Sequence, residues 1–118
     1  MPIIKLYSPN SCPDTNILSD ICNRVTDHLD IPVGHAWAFW HQQESFHKPD
    51  WGLNGKNAPM IMIYCKNSYN KQQIKGIIEV ISNVITQACS CDKESIYISC
   101  FRIEPGHLMV RGELWEGI

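Results

Sequence analysis

The most constraining feature of the chain is a strand-like segment that occurs twice, once in each half. Residues 1–7 read Met-Pro-Ile-Ile-Lys-Leu-Tyr and residues 58–64 read Ala-Pro-Met-Ile-Met-Ile-Tyr, an offset of 57 in 118 residues. Near-continuous apolar runs of this length are typical of strands inside a sheet. The same offset relates further identical pairs: Ile4 and Ile61, Tyr7 and Tyr64, Ser11 and Ser68, Ile17 and Ile74, Ile21 and Ile78, Gly55 and Gly112.

The length sets the number of domains. A chain of 118 residues with 44% hydrophobic content can bury one modest core and is too short for two. We therefore predict a single domain, 1–118, built from pseudo-repeats 1–57 and 58–118.

The first half is predicted to be a β-α-β unit. A strand covers Pro2–Tyr7, and apolar residues then recur with helical spacing between Asp14 and Leu29. Asp14 is a suitable N-cap, and Pro32 cannot continue the helix. The second strand is predicted over His35–Gln42. It places small residues, Ala36 and Ala38, on one face and bulky ones on the other.

The second half repeats this plan. A strand is predicted over Pro59–Cys65, and Asn70 with Gln73 three residues later resembles a capping box that opens a helix extending to Ala88. Gly76 and many β-branched residues give this helix a poor intrinsic propensity, so packing must stabilise it. A fourth strand over Ser95–Arg102 and a closing hairpin over Leu108–Trp115 follow.

The two units together predict the architecture. Right-handed crossovers make the strands of each unit parallel, so two units side by side give a four-stranded sheet with both helices on one face, an α+β fold. The other face would expose Trp37 and Phe39. Because a monomer of this size cannot cover such a surface, we expect a homo-oligomer.

Composition argues against several classes of partner. Ten Lys and Arg against twelve Asp and Glu give a net charge of −2 without a run of like charge, which offers little to nucleic acid or an anionic membrane. There is no leader-like start and no window of about 20 apolar residues, so we expect a cytoplasmic protein.

The cysteines and histidines do not follow metal-ligand spacing. Cys89-Ser90-Cys91 lacks the two-residue spacer of a zinc knuckle or a redox motif, and His35, His41 and His47 recur every six residues. We expect the six cysteines to be reduced, with no metal and no cofactor.

Three motifs resemble a known family. Met-Pro-Ile-Ile opens the first strand, Leu29-Asp30-Ile31-Pro32 closes the first helix, and Trp51-Gly52-Leu53-Asn54-Gly55 resembles the Phe-Gly-Ile-Gly-Gly hairpin of short tautomerases. Over nearly its whole length the chain resembles the tautomerase superfamily of 4-oxalocrotonate tautomerase and macrophage migration inhibitory factor. Its length and Arg111-Gly112-Glu113 are also similar to a tautomerase-like family known only as a domain of unknown function. The resemblance implies a homotrimer whose sheets face a central channel.

The resemblance also implies a reaction. Family members interconvert enols and ketones with an N-terminal proline, which here is Pro2 once Met1 is removed. An apolar pocket disfavours the ammonium form of such an amine and so makes it a usable base. Pro59 lies inside the chain and has no free amine, so each subunit would carry one catalytic centre.

The substrate-binding residues depart from the family pattern. The two arginines that hold the substrate in 4-oxalocrotonate tautomerase correspond by resemblance to Cys12 and Trp37, which cannot clamp a carboxylate. No lysine follows Pro32, as one does in migration inhibitory factor. Other groups must bind a small carbonyl acid, and Trp51 is expected to wall the pocket. The candidate cations are Lys5, His35, His41, Arg102 and Arg111.

Two functions stay open at this point. The chain is either a cofactor-independent tautomerase acting through Pro2, or a non-catalytic trimeric binding or interaction protein on the same scaffold. Residue types alone do not separate them, because one fold hosts many activities.

Overall fold

A computed structural model shows a four-stranded mixed sheet with two helices on one side. The structure describes residues 2–52 and 57–117. The elements are β1 (Ile3–Ser8), α1 (Asn16–Leu29), β2 (Trp37–Gln42), β3 (Met60–Lys66), α2 (Lys71–Ala88), a 3-10 turn (Lys93–Ser95), β4 (Tyr97–Ile103), β5 (Met109–Val110) and β6 (Glu113–Leu114).

The strand order confirms the predicted α+β architecture. The sheet runs β2-β1-β3-β4, with β1 parallel to β2, β3 parallel to β4, and the central pair antiparallel. Ile3 lies opposite Trp37 in one half, and Met60 lies opposite Tyr97 in the other. The start of β1 therefore lies at the same end of the sheet as the ends of β3 and β4.

The core lies between the sheet and the helices. Side chains of β1 and β3 alternate, so Ile4 and Ile61 are fully buried while Lys5 and Met62 lie on the other face. Each fully buried isoleucine contributes about 1.5–3 kcal/mol through removal of apolar surface from water. The helices add buried residues at four-residue spacing: Ile17, Ile21, Val25 and Leu29 from α1, and Ile77, Ile81 and Ile85 from α2.

The second helix begins with the predicted capping box. The Asn70 side chain accepts a hydrogen bond from the Gln73 N–H at 2.9 Å, and the Gln73 side chain accepts one from the Asn70 N–H at 2.8 Å. Gly76 lets α1 approach, because a Cβ atom there would lie 1.9 Å from Nε2 of His28. This close approach explains a glycine inside a helix, where it lowers intrinsic stability.

The sheet face opposite the helices, which we call the open face, is rich in aromatic side chains. Trp37 and Phe39 are 44% and 47% exposed, whereas Ala36 on the other side of this segment is buried. Tyr7 stacks on His41 with ring centroids 4.9 Å apart, and Tyr64 stacks on Phe101 at 5.2 Å. The two tyrosines thus hold equivalent positions in the two halves. The further exposed aromatic residues of the open face are Tyr97 and Phe101.

Three predicted boundaries were wrong by two residues. Helix α1 begins at Asn16, because the Asp14 carboxylate accepts the Asn16 N–H at 2.9 Å from outside the helix. Strand β2 begins at Trp37, since the His35 N–H donates to the Pro32 carbonyl in a turn. Strand β4 begins at Tyr97, after the 3-10 turn that ends at Ser95.

The predicted Trp51–Gly55 hairpin falls only partly within the described residues. Residues 53–55 of this hairpin lie outside them. Over the described part of the chain, neither helix combines the length and apolarity needed to cross a membrane.

Candidate functional site

A cavity of about 220 Å³ lies on the open face, at the end of the sheet where β1 begins. Each strand of the four-stranded sheet contributes one residue to its wall. Ile3 and Trp37 begin β1 and β2, while Lys66 and Ile103 end β3 and β4. His35 and Leu108–Arg111 complete the lining. The cavity is therefore assembled from segments that are far apart in the sequence.

The polar side chains of this cavity are basic. Nη2 of Arg111 lies 3.3 Å from Nε2 of His35. Because arginine stays protonated and only donates, His35 must accept this hydrogen bond through an unprotonated Nε2. The ammonium of Lys66 lies 5.0 Å from the ring centroid of Trp115, which is buried. No carboxylate occurs among the described lining residues, so the site attracts anions.

Arg111 reaches the cavity from an unfavourable backbone conformation. It has φ 55° and is followed by Gly112 with φ 77°, in the two-residue turn between the paired residues Val110 and Glu113. A positive φ is costly for a residue with a long side chain, and such positions are concentrated at functional sites. The hairpin is tied to the preceding loop by a 2.7 Å hydrogen bond from the Trp115 N–H to the Leu108 carbonyl.

Pro2 is connected to the cavity wall through two of its residues, Ile3 and Trp37. It is fully buried, and its carbonyl accepts a 3.0 Å hydrogen bond from the Trp37 N–H. Its neighbours Ile3 and Trp37 line the cavity, whereas Pro2 is not among the described lining residues. The hydrogen bond fixes the position of Pro2 relative to the start of β2.

Two predicted binding residues lie along the open face away from this cavity. The Lys5 ammonium lies 5.4 Å from the ring centroid of Tyr64. His41 stacks on Tyr7, and its Nε2 is buried without a hydrogen-bond partner within the described ranges. Neither residue contacts His35 or Arg111 through a described hydrogen bond.

Two others are engaged with backbone carbonyls elsewhere. The Trp51 indole N–H donates to the Ala58 carbonyl at 2.8 Å, and its ring lines a different cavity, of about 550 Å³, with Tyr7 and Met60. The Arg102 guanidinium donates to the carbonyls of Asn67 and, at 2.9 Å, Tyr69. Within one chain, His35 and Arg111 are thus the predicted binding residues that line the cavity next to Pro2.

Two residues at the cavity were not among the predicted site residues, Lys66 and Trp115. Lys66 shares the open face with Met60, Met62 and Tyr64, because β-strand side chains alternate. The antiparallel pairing of β3 with β1 then carries Lys66 to the end of the sheet where β1 begins. The alternation of side chains along β3 therefore already indicated that Lys66 lies on the open face.

The thiols form no metal centre in the part of the chain that the structure describes, where no three ligating side chains are placed to hold an ion. All six cysteines are free. The thiols of Cys65 and Cys100 lie 3.5 Å apart across β3 and β4. Their hydrogen bond raises the pKa of Cys65 and lowers the pKa of Cys100.

Comparison with solved structures identifies the fold. A wild-type fused 4-OT that forms an asymmetric trimer has a TM-score of 0.75 at 14% identity, over 95% of this chain and 94% of that one. Macrophage migration inhibitory factor from Oncomelania hupensis has 0.78 at 13%, over 98% and 83%. A member of the cis-3-chloroacrylic acid dehalogenase family has 0.73 at 11%, over 96% and 82%.

No protein-family model and no curated protein matches the sequence of the chain. At 11–14% identity the structural likeness shows the fold and leaves the activity open. The resemblance predicted from the sequence motifs is confirmed at that level, and the chain has the fold of the tautomerase superfamily.

Proposed function

We propose that the chain is a tautomerase that interconverts the enol and keto forms of a small carbonyl acid, with Pro2 as general base once Met1 is removed. The observation that carries this proposal is the basic cavity whose wall includes Ile3, the residue after Pro2. The tautomerase-superfamily fold supports it independently.

The proposed chemistry is one proton transfer in two stages. The Pro2 nitrogen takes the proton from the enol hydroxyl and returns it to the adjacent carbon, so that C=C–OH becomes CH–C=O. Cations next to the oxygen stabilise the negative charge that develops there. The burial of Pro2 limits water near the nitrogen, which keeps the amine unprotonated and available as a base. No cofactor is required.

The proposal includes self-association into a homotrimer through the open face. Trp37, Phe39 and Phe101 are 44%, 47% and 47% exposed in one chain, and an apolar surface of this kind is normally covered. In such an assembly three predicted binding residues outside the cavity, Lys5, His41 and Trp51, would act at or near subunit contacts. Arg102 follows Phe101 on the other face of β4, where its guanidinium donates to backbone carbonyls. A cytoplasmic location, a single domain with pseudo-repeats 1–57 and 58–118, and the absence of nucleic-acid or membrane partners belong to the same proposal.

The second candidate is a non-catalytic trimeric binding protein. It is favoured by one observation: Trp37, which stands at one arginine position of the family pattern, donates its indole N–H to the Gly34 carbonyl at 3.2 Å. The family clamp is thus replaced by a side chain that is occupied with the protein's own backbone. This candidate predicts that Met1 is retained in the native cell.

The deciding experiment compares Pro2→Ala with the wild-type protein. Intact mass first establishes whether Met1 is absent, and light scattering establishes that both proteins have the same oligomeric state. Ketonisation of the enol of phenylpyruvate is then followed by ultraviolet absorbance. A general base contributes about 10²–10⁴-fold, so Pro2→Ala should lose at least a hundredfold in kcat/KM.

Pro59→Ala is the matched control, since Pro59 begins the equivalent strand but has no free amine. It should keep the wild-type rate when circular dichroism shows that it is folded. Equal rates in Pro2→Ala and wild type would reject the tautomerase proposal.

A further inference from the structure

We infer that Lys66 and Arg111 together anchor the carboxylate of a small apolar acid, and that His35 is a positioning residue for Arg111. The inference rests on the proposed function only in taking this acid to be the substrate. It assigns carboxylate binding to residues other than those of the family pattern, whose positions are occupied by Cys12 and Trp37.

The Lys66 side chain is held in place by the ring of Trp115. Lys66 is the last residue of β3, and its ammonium lies 5.0 Å from the ring centroid of the buried Trp115. A cation over an indole face is attracted by the ring, which restricts a flexible side chain to few conformations. Lys66 therefore reaches the cavity with part of its conformational entropy already lost.

Arg111 is held by its turn and by His35. The turn between β5 and β6 fixes its backbone, and the 3.3 Å contact with Nε2 of His35 occupies one of its N–H groups. A guanidinium has five N–H donors in a planar fork. The remaining donors are sufficient for bidentate recognition of a carboxylate. Because His35 accepts from Arg111, its Nε2 is not available to the ligand.

The size and walls of the cavity define the ligand. A volume of about 220 Å³ is below that of typical drug-sized pockets, about 300–1,000 Å³. Two cationic residues line the cavity, and its other walls are largely apolar, from Ile3, Trp37, Ile103 and Leu108–Val110. A small monocarboxylate with an apolar substituent matches both features. Inorganic phosphate, a strongly hydrated ion without an apolar part, matches only the charge.

The test measures binding separately from turnover. Phenylacetate, its neutral analogue phenylacetamide and inorganic phosphate are titrated by calorimetry into the full-length Pro2→Ala protein, in which alanine replaces the proposed base. We expect phenylacetate to bind at least tenfold more tightly than either of the other two, since it alone combines a charged acceptor for Lys66 and Arg111 with an apolar ring. Equal affinity for the acid and the amide, tighter binding of phosphate, or no binding of phenylacetate at millimolar concentration would overturn the inference.

Variants then assign the roles. Lys66→Met and Arg111→Met should each weaken phenylacetate binding at least tenfold, whereas Lys75→Met, a change on the exposed side of α2, should leave it unaltered. His35→Leu should weaken binding, and His35→Gln should largely restore it because an amide oxygen can accept from Arg111. If His35→Leu binds like the Pro2→Ala parent, His35 does not position Arg111. If Lys66→Met binds normally, the anchor is wrong.

The two proposals fail separately. Loss of phenylacetate binding in the Lys66 and Arg111 variants supports the anchor even if Pro2→Ala does not impair turnover. Conversely, a proline-dependent reaction with normal phenylacetate affinity in these variants leaves the tautomerase proposal intact and removes the anchor.

Discussion

Replacing Arg111 by asparagine should stabilise the fold while weakening anion binding. Arg111 and Gly112 have φ values of 55° and 77° at the centre of the turn between β5 and β6. Two positive φ values in a two-residue hairpin loop define a type I′ turn, for which Asn-Gly is the preferred sequence. A left-handed conformation costs most L-residues about 1–2 kcal/mol, a cost that asparagine reduces through local hydrogen bonding.

The gain is offset in part by a lost contact. The 3.3 Å hydrogen bond from Arg111 to His35 is exposed, and we assign it a net contribution of about 0.5–1 kcal/mol. The expected balance is an increase of about 0.5–1 kcal/mol in the free energy of unfolding, or about 2–5 °C in Tm for a domain of this size. Phenylacetate binding should nevertheless weaken at least tenfold.

Urea and thermal unfolding followed by circular dichroism measure the first quantity, and calorimetric titration with phenylacetate measures the second. Arg111→Lys is the control, because it keeps both the positive charge and the unfavourable φ while losing the guanidinium contact with His35, so its Tm should not rise. A lower Tm for Arg111→Asn, or an equal rise in Arg111→Lys, would refute the argument from backbone strain. Unchanged phenylacetate affinity in Arg111→Asn would refute the role of the guanidinium.

Three further predictions concern packing and thiol chemistry. Gly76→Ala should change stability little in the wild-type protein, where the new methyl group displaces His28, but should stabilise the His28→Ala variant by about 1 kcal/mol; equal effects in urea unfolding would contradict this. Ile81→Ala should lower the free energy of unfolding by about 2–5 kcal/mol, since Ile81 is fully buried, and a loss below 1 kcal/mol would show that the site collapses. Burial raises the pKa of Cys89 to about 11, so the unfolded chain releases this proton first and stability should fall between about pH 9 and 11; Cys89→Ala should show a smaller fall.

The fold was predictable because its signals are local. The capping box of Asn70 and Gln73 and the alternation of β2 can be read from neighbouring residues. The prediction that one offset relates the two halves holds for the strands but not for the helices. The offset is 57 for the paired strands β1 and β3, but in the helices Ile17 is buried whereas Ile74, its partner at this offset, is only partly buried. The connection before α2, residues 67–70, is three residues shorter than the connection before α1, residues 9–15, so the helix starts are offset by 55 residues and not by 57.

The candidate site was only partly predictable, because its wall is built by long-range pairing. Arg111 and His35 were selected as cations of the right type, and the structure brings them into contact. Lys66 reaches the same cavity only through the antiparallel pairing of β3 with β1. The Arg102 guanidinium donates to backbone carbonyls of the loop after β3. This partner could not be predicted from residue types, because every residue has a backbone carbonyl.

The central strand pair also has a consequence for folding kinetics. Ile4 pairs with Ile63, so the middle of the sheet cannot form until the second half of the chain has been synthesised. Until then β1 has β2 as its only sheet neighbour and leaves its other edge unpaired. Contacts of such long sequence separation slow folding, and unpaired edges favour aggregation of intermediates. Refolding from denaturant should therefore be slower than that of a helical chain of equal length, with its yield falling as protein concentration rises.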